Sequence, residues 1–451
     1  MFSQVSLTTG NFKKALLLFA LPLFFSQLFQ TLYNTMDTVI IGHCLGDISL
    51  AAVGAVGSLF ELLVGFCTGF GQGLSIIAAQ KYGAQDEQGF RHSVGLSIFL
   101  AGLISVVISV LAGIFMRDIL HFMNTSEEII DQSYAYISII SAGLIITVFY
   151  NLCAGMLRAI GDSFTPLVIL VISSVLNIGL DLLFIAVFDW GVAGAAIATL
   201  LAQVVSLVVC IIWVFKTRKD MLPGRQDFKW DGALGKNLTE MGLSMALMSS
   251  IVSVGSLILQ IAINSQGTLI VTGHTSARKL FQILNLPPFA LMFALSSYVA
   301  QNVGAKKVNR ANDGIVFANR VGVIYSLVLT AVVFVFANRL IRMISGTSSQ
   351  QVIETGAMYL RWNVPFFPFL CVLLNTRTAL QAMELKTVPI ISSVIELVGK
   401  ILFTLVIVPA TGYLGVCLTE PAVWIVMCVF LCWYYLRNPV FKEYGLKARI
   451  L

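Results

Sequence analysis

The sequence predicts an all-α integral membrane protein: twelve transmembrane helices in two six-helix parallel repeats. Three observations predict it. The 451 residues are 58% hydrophobic and only 11% charged, against about 25% charged in a soluble domain. The apolar stretches are continuous, each near the length of about 20 residues that crosses a bilayer. They do not alternate, which selects helices over an outer-membrane barrel. A shift of 221 residues also lays the first half on the second. Leu74-Ser75 falls on Leu295-Ser296, Ala79-Gln80 on Ala300-Gln301, Gly83-Ala84 on Gly304-Ala305, Gly46 on Gly267 and Gly191 on Gly412. Six is an even number, so the halves run in the same direction. They are expected about an axis along the membrane normal.

In chain order the first predicted span is Ala15–Ile41. Pro22 inside it removes a backbone hydrogen bond and permits a bend. The second is Leu50–Gln80, whose glycines at 54, 57, 65, 69, 71 and 73 suit close helix packing better than phosphate binding. Ser93–Met116 and Ile129–Leu157 follow, the latter with Asn151 beside Tyr150. Phe164–Val187 places Asp181 one turn after Asn177, and Val192–Phe215 closes the half. The longest polar connection, Lys216 to Lys236, holds Pro223-Gly224 and alternating charges, and reads as a linker. The expected organisation is therefore a lobe over 1–215, a linker over 216–236 and a lobe over 237–451.

The second lobe repeats the plan with Leu238–Asn264, Leu280–Val303, Ile315–Ile341, Ala357–Met383, Val388–Val408 and Leu414–Leu436. Pro287-Pro288 and the Pro365/Pro368 pair mark expected breaks. Its polar groups at Gln260, Asn264, Gln282, Asn285 and Asn375 are not acidic. Glu396 and Lys400 are one turn apart in the favourable order and read as a self-neutralising pair. Glu61 is a candidate gating group with no partner evident in the sequence.

Twelve crossings put both termini on one side of the membrane. Connections on that side carry 21 basic residues and those on the other side 6, with Lys400 left inside the membrane. That asymmetry places both termini in the cytoplasm. The net charge of +6 then reflects basic loops beside anionic lipid and does not imply nucleic acid. Eight scattered cysteines form no CxxC and no His/Cys cluster, so they read as small apolar residues, and no metal or cofactor is expected. An intramembrane enzyme would need a nucleophile–base pair or a His/Glu set within the helices, and none is visible.

The functional signal is Asp37, an aspartate in the first span with no nearby basic residue. At 3.6 residues per turn it shares a face with Gln30, Tyr33 and Asn34. A carboxylate at membrane depth costs several kcal/mol unless it faces the interior, gains partners or takes up a proton. Gln30, Tyr33, Asp37, Asn151, Asn177 and Asp181 are expected to form a polar cluster in the first half. Two carboxylates close together in low dielectric cannot both stay charged at neutral pH. One holds a proton, or the pair binds a cation, which suits ion coupling. The plainer alternative is that these groups only satisfy one another.

These residues resemble the multidrug and toxic compound extrusion (MATE) family along essentially the whole chain. The carrying motifs are Pro22 with Gln30-x-x-Tyr33-x-x-x-Asp37-x-x-x-x-Gly42, Gln80-Lys-Tyr-Gly83-Ala, Arg158-Ala-x-Gly161-Asp162 with Pro166, Asn177-x-x-x-Asp181, and Gly191-x-x-Gly194-Ala-Ala-x-Ala-Thr199. The acids gather in the first half, so the bacterial DinF-like branch is the most similar. The resemblance implies a V-shaped, monomeric antiporter of the bacterial inner membrane that exports amphipathic, often cationic compounds in exchange for H+ or Na+. It implies that Asp37 is the exchanging carboxylate, that Asn177 and Asp181 are its partners, that Gln30, Tyr33 and Asn151 complete the site, and that Pro22 is the bending point. Glu61, Glu396 and Lys400 are secondary candidates. The rival expectation is a lipid-linked saccharide flippase of the same superfamily, which needs a cavity rich in arginine and lysine.

Overall fold

The structure is a computed structural model and describes residues 4–123 and 125–451. Among the described residues ten helices are long and apolar enough to cross a membrane, and two bent pairs, at 47° and 43°, bring the spans to twelve. They are α1 (Phe12–Ala55), α2 (Gly57–Gly83), α3 (Glu87–Phe122), α4 (Ile130–Ala142 and Leu144–Ala159), α5 (Phe164–Asp181, continued by a π-helical turn at Leu182–Val187) and α6 (Gly191–Thr217). The second series is α7 (Gly232–Asn264), α8 (Thr268–Leu284 and Leu286–Gly304), α9 (Val308–Ser345), α10 (Gln350–Asn363 and Phe367–Ala382), α11 (Thr387–Leu402, continued by a π-helical turn at Phe403–Ile407) and α12 (Tyr413–Leu436).

Several boundaries differ from the sequence expectation, for one reason. Helices run past the apolar core into polar ends, where periodic polarity had read as loop. The expected span from Leu280 begins at Thr268, so Arg278 and Lys279 lie inside α8 and not in a connection. The stretch from Leu50 is the end of α1, which kinks at Gly46 (φ 80°, ψ −174°), a conformation that glycine adopts without strain. Pro22 does not break α1 here; the backbone is helical through it, and the Ser26 hydroxyl donates to the Pro22 carbonyl at 2.9 Å. Pro287 and Pro288 sit in the first turn of the second α8 segment, where the missing N–H costs little.

The 221-residue repeat is carried by the backbone as well as by side chains. Positive φ recurs at Gly46 and Gly267, at Gln85 and Lys306, and at Gly191 and Gly412. The break of α4 at Gly143 corresponds to the break of α10 at Val364, and both π-helical turns begin at equivalent positions, Leu182 and Phe403.

The chain forms two compact units. One holds the residues up to Ser6 with Leu21–Ser249, and the other holds Leu7–Ala20 with Ser250–Leu451. Thus α1 and α7 each give one end to either unit. In the first unit, an apolar core of Ile40, Ile41, Val56, Ile137, Ile140, Val192 and Ala195 surrounds the C-terminal half of α1. In the second, Phe281 of α8, Phe367 of α10 and Trp424 of α12 pack together, with Phe281 5.1 Å from Phe367 and stacked at 6.0 Å on Trp424.

Candidate functional site

In the first unit α1 and α5 bring two acids together. Asp37 follows Tyr33 by one turn on α1, and Asp181 follows Asn177 by one turn on α5. The carboxyl groups of Asp37 and Asp181 face each other. Asn177 and Asp181 are fully buried. Apart from the contact between the two carboxyls, Asp37 Oδ1, both Asp181 oxygens and both polar atoms of the Asn177 amide have no hydrogen-bond partner among the described residues. Such groups cost roughly 1–3 kcal/mol each when left unsatisfied, more when charged. Desolvated acids without a counter-charge are primed to take up a proton or a cation. Asp181 is also the last α-helical residue before the π-helical turn of α5. Such turns are frequent at functional sites.

Tyr33 joins the pair from the same face of α1, and its hydroxyl lies 3.3 Å from the Thr199 hydroxyl of α6. Tyr136 of α4 is within electrostatic reach of Asp37, Tyr33 and Asp181. Sequence reasoning missed Thr199 and Tyr136 as partners. A hydroxyl in an apolar helix carries no pattern of its own, although Thr199 ends a motif that had been singled out.

Two of the expected residues are placed differently. Gln30 is exposed and pairs with Asn34 at 3.4 Å on its own helix, not with the acids. Asn151 donates to the Thr147 carbonyl at 2.9 Å, the usual resting place of a polar side chain within a membrane helix. Glu61 is exposed on α2.

The second unit holds buried acids too, but each has its own cation. Glu396 Oε1 is 2.8 Å from Lys400 Nζ, as the spacing predicted, and both side chains are buried. Glu420 of α12 is held by two donors, Arg278 at 3.0 Å and the Tyr359 hydroxyl at 2.7 Å. Arg278 also lies over the Phe281 ring at 5.4 Å, and His274 is 3.1 Å from the Tyr413 hydroxyl. The Arg278–Glu420 pair was not legible in the sequence, because 142 residues separate the partners and Arg278 read as part of a connection.

Comparison with known proteins agrees with this plan. The MatE family profile matches twice, over residues 22–183 and 244–406, once per repeat. The chain is 29% identical over 365 residues to the probable multidrug resistance protein YpnP of Bacillus subtilis, covering 80% of this chain and 81% of that one. It is 27% identical over 434 residues to the DNA damage-inducible protein F of Escherichia coli, covering 93% and 89%. Among solved structures, a MATE protein in the bent conformation superposes with a TM-score of 0.90 at 25% identity, covering 97% of this chain and 98% of that one. An outward-facing multidrug resistance MATE family transporter of the MOP superfamily gives 0.88 at 26% identity, covering 96% and 97%. The profile spans most of the chain and falls on both repeats, so this multi-pass membrane protein belongs to the MatE family of multidrug transporters.

Proposed function

We propose that the chain is a secondary active multidrug efflux antiporter that exports amphipathic, cationic compounds in exchange for protons by alternating access. The observation that carries this reading is the facing pair Asp37 and Asp181, desolvated and without any cationic partner among the described residues. A proton arriving from outside neutralises Asp37 and weakens its repulsion of Asp181. Helix α1 then bends at Pro22, whose ring removes the hydrogen bond to the Leu18 carbonyl. Bending releases the drug, and reopening inward releases the proton. Binding moves such an equilibrium only by its differential free energy between the two states, about 5.5 kcal/mol for a full swing from 1:99 to 99:1. Similar solved MATE structures named as the bent and the straight conformation, with TM-scores of 0.90 and 0.85 to this chain, support a two-state cycle. Both termini lie in the cytoplasm of a bacterial inner membrane on this reading, and membrane lipid is the surrounding partner.

The flippase reading needs free cations for a pyrophosphate. Here Arg278 and Lys400 are already committed to Glu420 and Glu396. That leaves Arg377 of α10, with an unpartnered Nη1, as a buried cation that reading could use. One such arginine does not make a cavity rich in cations, so the drug/ion reading is preferred.

The test is dye efflux from cells under an imposed pH gradient and, separately, a sodium gradient, for the wild type and Asp37→Asn. Efflux driven by the pH gradient and lost in the variant is expected, with unchanged protein level. Efflux driven by sodium alone would replace the proton in this scheme. Full efflux in Asp37→Asn would remove the site altogether.

A further inference from the structure

The segment after α12 is held on the second unit as a ligand would be. A short helix, Pro439–Glu443, turns at Gly445 (φ 64°) into a non-helical run over 446–450. Along it Leu446, Ala448 and Ile450 are half-buried, and Lys447 and Arg449 are exposed. That alternation of apolar and basic residues has the period of two of an extended strand. The strand lies on α9, where side-chain amides take the place of a neighbouring strand. The Asn312 amide donates to the Lys447 carbonyl at 3.3 Å and accepts from the Arg449 N–H at 3.1 Å. The Asn319 amide donates to the Ile450 carbonyl at 2.8 Å. Asp313 pairs with the Arg449 guanidinium. Asn312 and Asn319 are themselves buried and fixed from behind, by the Tyr435 hydroxyl at 2.9 Å and the Asn375 amide at 3.1 Å.

We propose that the start of α9 is a peptide-reading groove for an extended strand that alternates apolar and basic residues, and that this chain's own Leu446–Ile450 is its exchangeable ligand. All three amide bonds go to main-chain atoms, and any strand of this shape offers them. Main-chain hydrogen bonds supply the affinity of such a strand and alternate side chains its selectivity. Here the half-buried positions select aliphatic side chains and Asp313 selects a cation. The ion pair is exposed and adds little by itself, so the two asparagines carry the binding. The first unit grips main chain at the same two positions. The 221-residue shift places Arg91 and His92 of α3 on Asn312 and Asp313 of α9. Arg91 Nε donates to the Asp220 carbonyl at 3.1 Å, and His92 Nε2 lies 2.9 Å from the Lys229 carbonyl. The inference stands on contacts within the second unit and does not depend on the transport reading.

The test uses a chain ending at Tyr444, purified in detergent, and a fluorescent synthetic peptide of residues 445–451 with an amidated C-terminus. The shortened protein is expected to bind the peptide saturably. The full-length protein, whose groove is filled, should bind it at least about tenfold more weakly. N-methylation of the peptide's Arg449 amide removes one hydrogen bond and should weaken binding about tenfold. No saturable binding, equal binding by the full-length protein, or equal binding of the N-methylated peptide overturns the proposal. Should the shortened chain fail to accumulate, Asn312→Asp in the full-length protein carries the test. It keeps the size and the acceptor but turns the donor to the Lys447 carbonyl into a second acceptor. Hydrogen exchange over 446–450 should then rise about tenfold, with α9 itself unchanged. Unchanged exchange in that run, or an equal rise throughout α9, overturns the proposal.

Discussion

Asp86 anchors the start of α3 with a single carboxylate. It accepts a hydrogen bond from the Gly89 N–H at 2.8 Å and an ion pair from Lys81 at 3.3 Å. The backbone N–H of Gly89, with Lys81 adding to it, holds the Asp86 carboxyl below the ordinary carboxylate range. The cap explains the glycine: a Cβ at Gly89 would sit on the Asp86 carboxylate. Asp86→Ala is expected to cost about 1 kcal/mol, the usual loss of an N-cap. A depressed folded value means the carboxylate stabilises the protein at pH values above about 3.9. The advantage over Asp86→Ala should shrink as pH falls below that value towards the folded value, measured as the difference in Tm across pH. A difference that grew on acidification would contradict the capping account. The same residue scale explains what could be read of the site. Asp37 and Asp181 stood out because a carboxylate in an apolar run is costly. Gln30 was misplaced because sharing a helical face with an acid does not require pointing at it.

At the scale of elements, the glycines of α2 separate into two sets that sequence could not distinguish. A Cβ at Gly73 would lie 2.5 Å from the Met241 carbonyl and 2.7 Å from Gly242 Cα, and one at Gly69 would lie 2.8 Å from the Met245 carbonyl. These are backbone atoms of α7 and cannot step aside. At Gly65 and Gly57 nothing lies within 4 Å. Small residues let membrane helices approach closely, which is where their packing energy arises. Gly73→Ala should therefore force α2 and α7 apart and cost on the order of 1–3 kcal/mol, in the range of overpacking. Gly65→Ala should be neutral or slightly stabilising, since alanine is the better helix former. Parallel melting curves decide it, and equal effects at the two positions would refute the contact. Helix existence was legible from apolar length alone. Helix ends were not, because hydropathy marks the membrane core and these helices outrun it, as α8 does by twelve residues with Arg278 aboard.

Across the whole molecule, one plan is built twice with opposite electrostatic outcomes. The repeat was legible because glycines at special backbone conformations cannot drift, whereas the charges could: the first unit's buried acids face each other, and the second unit's are each paired with a cation. The consequence is measurable as a difference in sign. Asp181 has no counter-charge and faces Asp37, so Asp181→Asn removes a desolvated acid and a like-charge neighbour, and should leave stability unchanged or raised. Glu420 is buried between Arg278 and Tyr359, so Glu420→Gln leaves a guanidinium without its carboxylate and should cost about 3–5 kcal/mol. Arg278→Met in the Glu420→Gln background should recover most of that loss, because much of it is the cost of the stranded cation and not the worth of the pair. A double-mutant cycle on unfolding in mixed micelles measures the coupling. Loss of stability of the same size in Asp181→Asn and Glu420→Gln would mean that the two acids sit in equivalent surroundings. The contrast between unpaired acids in one unit and paired acids in the other would then have no energetic content.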